Sequence, residues 1–101
     1  MNIIAEICVI PIGHAVSLRK EIAIAHNILR NTGLPVQLHS YGTNIEGDYD
    51  VIVQAIKEIH QTLHDHGIAR IHTSIKLGSR IDKEQSLNGK IEAVRDELQE
   101  T

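Results

Sequence analysis

Glu6 stands inside NIIAEICVIPI, flanked by Ile3, Ile4, Ala5, Ile7, Cys8 and Val9. An ionised carboxylate in such surroundings is costly unless a partner meets it. Two later runs carry partners. TNIE, residues 43–46, brings Thr43, Asn44 and Glu46, and TSIK, residues 73–76, brings Ser74 and Lys76. If all three runs are strands, alternation decides which of these side chains share a face. The chemistry of such a set is recognition. Carboxylates accept hydrogen bonds, an Asn amide both donates and accepts, Ser and Lys donate, and two neighbouring carboxylates favour a cation. A few convergent polar groups in an apolar setting are what a small-molecule site requires. The same residues admit a plainer role, in which Glu6 and Lys76 form a cross-strand ion pair that fixes an interface.

Other constellations are less complete. HQTLHDH, residues 60–66, places His60 and His64 four apart on one helical side with His66 close by, a spacing that can hold a transition metal. No ligand set beyond Asp65 completes it, and solvated histidines account for the pattern, so no metal is expected. Arg80 and Lys83, in the GSRIDKE loop, can catch an anion together with backbone N–H groups. A solvated loop with Asp82 or Ser86 as a helix cap explains the same residues. His14, His26, His39 and His72 have no partner that spacing identifies. Cys8, the single cysteine, cannot form an internal disulfide and reads as a small buried apolar residue of its strand. No Ser/His/Asp order or activated thiol stands out, so neither catalytic residues nor an enzymatic activity is expected.

The elements that position these residues follow from period and punctuation. NIIAEICVIPI is β-branched, short and closed by Pro11 and Gly13, hence a first strand, with Ile3, Ala5, Ile7 and Val9 on one face and Ile4, Glu6, Cys8 and Ile10 on the other. Ser17 is placed to cap a helix carrying Leu18, Ile22, Ala25 and Leu29, which Gly33 stops. Pro35 leads into a second strand, VQLHSY. Gly42 offers a turn, residues 43–46 a third strand, and Asp48 a cap for a helix carrying Val51, Ile52, Ala55, Ile56, Ile59 and Leu63, ended by Gly67. IARIHTSIKL is a fourth strand, with Ile71, Thr73, Ile75 and Leu77 opposite Arg70, His72, Ser74 and Lys76. A last helix carries Leu87, Ile91, Val94 and Leu98, with Gly89 costing about 1 kcal/mol against Ala near its start.

Strand, helix, strand, strand, helix, strand, helix is an α+β order. It predicts a ferredoxin-like βαββαβ domain with a C-terminal helix, a four-stranded antiparallel sheet and helices on one face. The chain, residues 1–101, reads as one such domain. The first and third strands are then central, and the second sheet face, carrying Ile4, Cys8 and Ile10, is left for another subunit to cover. The expected partner is the protein itself, as a homodimer or homotetramer.

Composition narrows the function classes. With 42% hydrophobic residues, 23% charged residues and a net charge of −3, the chain has the profile of a globular domain without a basic field. Base stacking by a sheet of this topology needs aromatic side chains, and these make up only 2% of the chain, so no nucleic acid partner is expected. No run reaches the roughly 18 apolar residues of a membrane span, and no cationic leader opens the sequence, so no membrane partner and a cytoplasmic location are expected.

IIAEICVIPIG, YGTNIEGDYD and HTSIKLGSRIDKEQSLNGKI together resemble the small thiamine-binding-protein family of ferredoxin-like domains, long described as uncharacterised. The likeness covers essentially the whole chain. Its most specific parts are the T-x-I-E-G run at residues 43–47 and the T-S-I-K run at residues 73–76 followed by R-I-D-K at residues 80–83. The resemblance implies a non-enzymatic domain that assembles into dimers or tetramers and that, in some relatives, binds thiamine or its hydroxymethylpyrimidine moiety, with no cofactor. Glu6, Asn44, Glu46 or Ser74 would match the donors and acceptors of an aminopyrimidine edge, with Thr43 and Lys76 beside them, and a carboxylate would favour the thiazolium charge. Aromatic stacking is scarce. Tyr41 and Tyr49 are the only rings besides His, so a flat ligand would lie on Ile, backbone or imidazole surfaces. A regulatory or structural homo-oligomer that binds a different small ligand, or none, fits the same residues.

Overall fold

The computed structural model describes residues 1–13 and 18–100. Its order is β1 (Asn2–Ile12), α1 (Arg19–Arg30), β2 (Val36–His39), β3 (Gly42–Asp48), α2 (Tyr49–Asp65), β4 (Arg70–Ser79) and α3 (Leu87–Glu100). The strands form one four-stranded sheet in the order β2-β3-β1-β4, with every neighbouring pair antiparallel. This is the α+β arrangement that the order of elements predicts, with β1 and β3 central.

Alternation along β1 divides the molecule. Ile3, Ala5, Ile7 and Val9 are buried against α1 and α2, where they meet Ala25, Leu29, Ile45, Ile52, Ala55, Ile59 and Leu63. Each Ile or Leu fully withdrawn from water here contributes about 1.5–3 kcal/mol before entropy is charged. Ile4, Glu6, Cys8 and Ile10 occupy the other face, half-buried or exposed. Asp48 caps α2, its carboxylate accepting from the Asp50 and Val51 amides at 3.1 and 3.4 Å. Gly33 and Gly67 close α1 and α2 with φ of +79° and +90°, a region that favours glycine. The cap expected from Ser17 lies outside the described residues. Leu18, expected within the helix, stands at its N-terminal boundary without a side-chain cap.

Four departures follow. β2 ends at His39, because Ser40 and Tyr41 make the turn. Gly42, expected in that turn, is the first residue of β3 and lies so close to β1 that a Cβ there would meet the Ile7 carbonyl oxygen at 2.6 Å. Val51, counted in the apolar stripe of α2, faces outward. The fourth departure concerns α3. The two crossover helices share one sheet face as expected, whereas α3 runs over the opposite face, which the sequence reading left open for another subunit. There, Leu87 is buried outside the main core, and the Gln37 amide donates to Asn88 Oδ1 at 3.2 Å. Leu87, with little else apolar to its N-terminal side, finds its shelter against this outer face near Ile4.

Candidate functional site

Register aligns four polar residues across the sheet. Gln37 on β2 is opposite Asn44 on β3, Asn44 is opposite Glu6 on β1, and Glu6 is opposite Lys76 on β4. Directly opposed residues in an antiparallel sheet have Cβ atoms roughly 4.5–5.5 Å apart. The four side chains therefore form a continuous polar band on the outer face, at right angles to the strands.

The first turns of α3 roof this band. Between them lies a cleft of about 420 Å³ whose walls include Ile4, Leu87 and Ile91, with Glu6, Asn44 and Lys76 on its floor. That volume falls in the roughly 300–1,000 Å³ range of small-molecule sites. Gln85, just before α3, lines the cleft too. Its Nε2 is buried and has no hydrogen-bond partner. An orphaned buried donor is destabilising until an acceptor reaches it.

His39 organises the floor. Its Nε2 is 3.1 Å from Asn44 Oδ1 and 3.2 Å from Glu6 Oε2, while its Nδ1 accepts from the Tyr41 backbone N–H at 3.2 Å. Glu6 is thus paired, but not with Lys76: the cross-strand Glu6–Lys76 ion pair is absent among the described residues, and the His39 imidazole meets the carboxylate instead. Alternation along β2 puts His39 on the face of Gln37, paired with Gly42; what it does not reveal is that the ring reaches diagonally to Asn44 and on to Glu6.

The remaining predicted residues divide by face and row. Thr43 belongs to the other side of the sheet. It is buried among the helices, with its hydroxyl 3.1 Å from His26 Nδ1, and lines a separate cavity of about 200 Å³ beside α1. The reason is parity: Thr43 is opposite Ile7, a core residue, so it cannot share a face with its neighbour Asn44. Glu46 shares the face of Glu6 but is one row along, opposite Ile4, and Ser74 is one row the other way, opposite Cys8. Neither lines the cleft between Glu6 and α3. His39, Gln37 and Gln85 are the site residues that sequence reasoning missed. Gln37 was accessible to it, since counting back across a tight hairpin pairs it with Asn44.

The histidine pair on α2 is otherwise engaged. His60 Nε2 lies 2.6 Å from Thr73 Oγ1, His64 Nδ1 lies 2.7 Å from the Ile68 carbonyl, and the two rings are 6.2 Å apart. Among the described residues no group of three His, Cys, Asp or Glu side chains is arranged to hold a metal. Arg80 bonds Asp82 through Nε at 2.7 Å and holds that carboxyl well below its usual range, so its charge is largely spent within the loop. Ser86, the second of the two expected caps, receives the Gly89 amide at 2.9 Å at the start of α3. No helix among the described residues is long and apolar enough to cross a membrane.

The model of the thiamine-binding protein family matches residues 5–95, which takes in β2, β3 and β4 whole, β1 from Ala5 onward, and the whole polar band. The chain belongs to that family. A UPF0045 protein from Synechocystis sp. is 39% identical over 94 residues, 93% of this chain and 78% of that protein. Another, from Eremothecium gossypii, is 32% identical and covers 97% of this chain and 94% of its own. Among solved structures, a hypothetical protein from Methanocaldococcus jannaschii superposes with a TM-score of 0.87 at 33% identity, covering 94% of this chain and 97% of that one. A candidate thiamine biosynthesis/salvage protein from Thermotoga maritima has a TM-score of 0.80 at 18% identity, over 94% of this chain and 100% of that one. At that identity the likeness is one of fold.

Proposed function

We propose that this protein binds thiamine or its hydroxymethylpyrimidine moiety without transforming it, in the cleft between the polar band and α3. One observation carries the reading. A carboxylate at the centre of an otherwise apolar strand lies on the floor of a cleft of suitable volume, beside an amide and an ammonium, within a chain of the thiamine-binding protein family. Glu6 would accept from the exocyclic amine of the pyrimidine, and its negative charge favours the thiazolium. Ile4, Leu87 and Ile91 supply flat apolar surface where an aromatic stack would otherwise stand. These are groups that hold a ligand, and the proposal assigns none of them a proton transfer or a nucleophilic attack. Isothermal titration of the protein with thiamine and with free hydroxymethylpyrimidine tests it, supported by thermal shift, because a ligand of the folded state alone raises the melting temperature. Absence of both heat and shift with either compound refutes the reading.

The protein is further proposed to act as a homodimer or homotetramer in the cytoplasm. Exposed apolar residues support self-association. Beyond Leu87 the apolar stripe of α3 is progressively uncovered, with Ile91 at 39% and Val94 at 60% exposure, and Ile10 continues the apolar surface along β1. A second copy of the chain is the simplest cover for such a surface.

A further inference from the structure

The hydrogen bonds around His39 form a one-way chain with a fixed origin. A backbone N–H can only donate, so the Tyr41 amide at 3.2 Å obliges His39 Nδ1 to accept. In a neutral imidazole the proton must then sit on Nε2. Nε2–H faces Asn44 at 3.1 Å and Glu6 at 3.2 Å, so it is the amide oxygen of Asn44 that turns toward the imidazole. With its oxygen turned toward His39, Asn44 turns its N–H groups the other way, toward the cleft. Gln85, whose Nε2 is buried and unpartnered, also lines this cleft. Directly opposite Asn44, Glu6 can only accept.

We propose that His39 is a positioning residue that sets the hydrogen-bond polarity of the cleft, so that it selects ligands presenting an amine beside a ring-nitrogen acceptor and rejects the corresponding oxo compounds. This inference rests on the reading of the cleft as a pyrimidine site and adds the property that discriminates among pyrimidines. A 4-aminopyrimidine edge shows a donor, the exocyclic amine, next to an acceptor, the ring nitrogen. These match the Glu6 carboxylate and the Asn44 amide. A 4-oxopyrimidine in its lactam form shows the reverse pattern, an acceptor next to an N–H donor. Its oxygen would face a carboxylate and its N–H would face amide protons. His39 needs no contact with the ligand to enforce this, because it acts by denying Asn44 the flip that would present its oxygen.

The test has two arms. In the first, the imidazole ¹⁵N shifts of His39 in the ligand-free protein at neutral pH report the tautomer directly. A proton on Nε2 with unprotonated Nδ1 is expected, and a proton on Nδ1, or an imidazolium, overturns the proposal. In the second, hydroxymethylpyrimidine and its 4-oxo analogue are titrated into the wild type, His39→Gln and His39→Leu. The wild type should prefer the amino compound by on the order of 10- to 100-fold, the range for hydrogen bonds to a charged group. His39→Gln keeps a donor and should retain most of this preference. His39→Leu frees the Asn44 amide, and the preference should drop several-fold, more through gain by the oxo compound than through loss by the amino compound. A purely structural role would weaken both ligands alike, so an unchanged ratio in His39→Leu overturns the proposal. If that variant does not fold, the tautomer and the wild-type ratio still decide. A wild type that binds neither pyrimidine is a different failure: it removes the ligand assignment, while the tautomer continues to judge the His39 chain.

Discussion

Replacing Glu6 by Gln removes one charge and almost no volume from the centre of the polar band. Gln can still accept from His39 Nε2 through its amide oxygen, so the fold should be little affected, with a change in stability within about 0.5 kcal/mol. Binding should respond much more. A hydrogen bond to a charged group contributes about 1.5–3 kcal/mol. The Glu6 side chain is 39% exposed in the absence of ligand, so solvent screening argues for the lower half of that range. A loss of about 1.5–2 kcal/mol corresponds to a roughly 10- to 30-fold rise in Kd. Glu46→Gln makes the same chemical change one row along the sheet, opposite Ile4 and away from the cleft, and should shift Kd by less than about twofold. Calorimetric titration of the wild type and both variants with thiamine and hydroxymethylpyrimidine measures the contrast. Equal affinities in the wild type and Glu6→Gln would remove the carboxylate from the site. A larger effect in Glu46→Gln would show that the ligand lies further along the sheet than the cleft under α3.

Three further outcomes follow from packing and titration. Gly42→Ala would place a Cβ 2.6 Å from the Ile7 carbonyl oxygen, so it should destabilise by about 1–3 kcal/mol; an unchanged urea midpoint would contradict the close approach of β3 to β1. Burial and, after it, the neighbouring His64 hold the His60 pKa below its ordinary 6.5. The unfolded chain therefore takes up a proton more readily than the native state, and the His60 contribution is present above pH 6.5 and lost as the pH falls below it. His60→Gln should flatten the decline of Tm between about pH 7 and 5, and an unaltered slope counts against this assignment. Ile10→Lys should lower the sedimentation coefficient from that of an oligomer to that of a monomer, and a wild type that already sediments as a monomer at micromolar concentration refutes the self-association it is meant to disrupt.

The elements were legible because their signals are local. Asp48 announces α2, Gly33 and Gly67 close their helices, and β1 carries its apolar alternation openly, so the order of strands and helices follows without tertiary information. Once Glu6 is placed on the outer face of β1, register puts Asn44 and Lys76 beside it, and both were identified from alternation alone. Thr43 shows where that reasoning slipped, since adjacent residues of one strand cannot both serve one face. His39 and α3 were illegible for a different reason. Alternation puts His39 on the face of Gln37, but the reach of its ring across Asn44 to Glu6 is a matter of side-chain conformation that strand period does not encode. The landing place of α3 depends on which surface can bury Leu87, a property of the assembled sheet and not of the helix sequence.

The polar band itself argues for a binding role over a purely structural one. A central strand of a small sheet gains most from apolar residues on both faces, and Ile4 and Ile10 show that β1 follows that preference on its outer face elsewhere. Glu6 interrupts it at the position opposite both Asn44 and Lys76. Were the band only a device for stability, Glu6 and Lys76 would be expected to pair, yet the carboxylate is turned toward His39 and Lys76 has no carboxylate within ion-pair distance among the described residues. Gln85 adds a donor that no protein atom satisfies. A carboxylate aligned from one side only and an ammonium without a carboxylate partner lie on the floor of one cleft that Gln85 also lines, and of these the buried, unpartnered Gln85 amide nitrogen costs stability in the empty protein. A ligand with a donor, an acceptor and a positive charge would complete them together, which is why the cleft and not the remainder of the outer face is the place to look for thiamine.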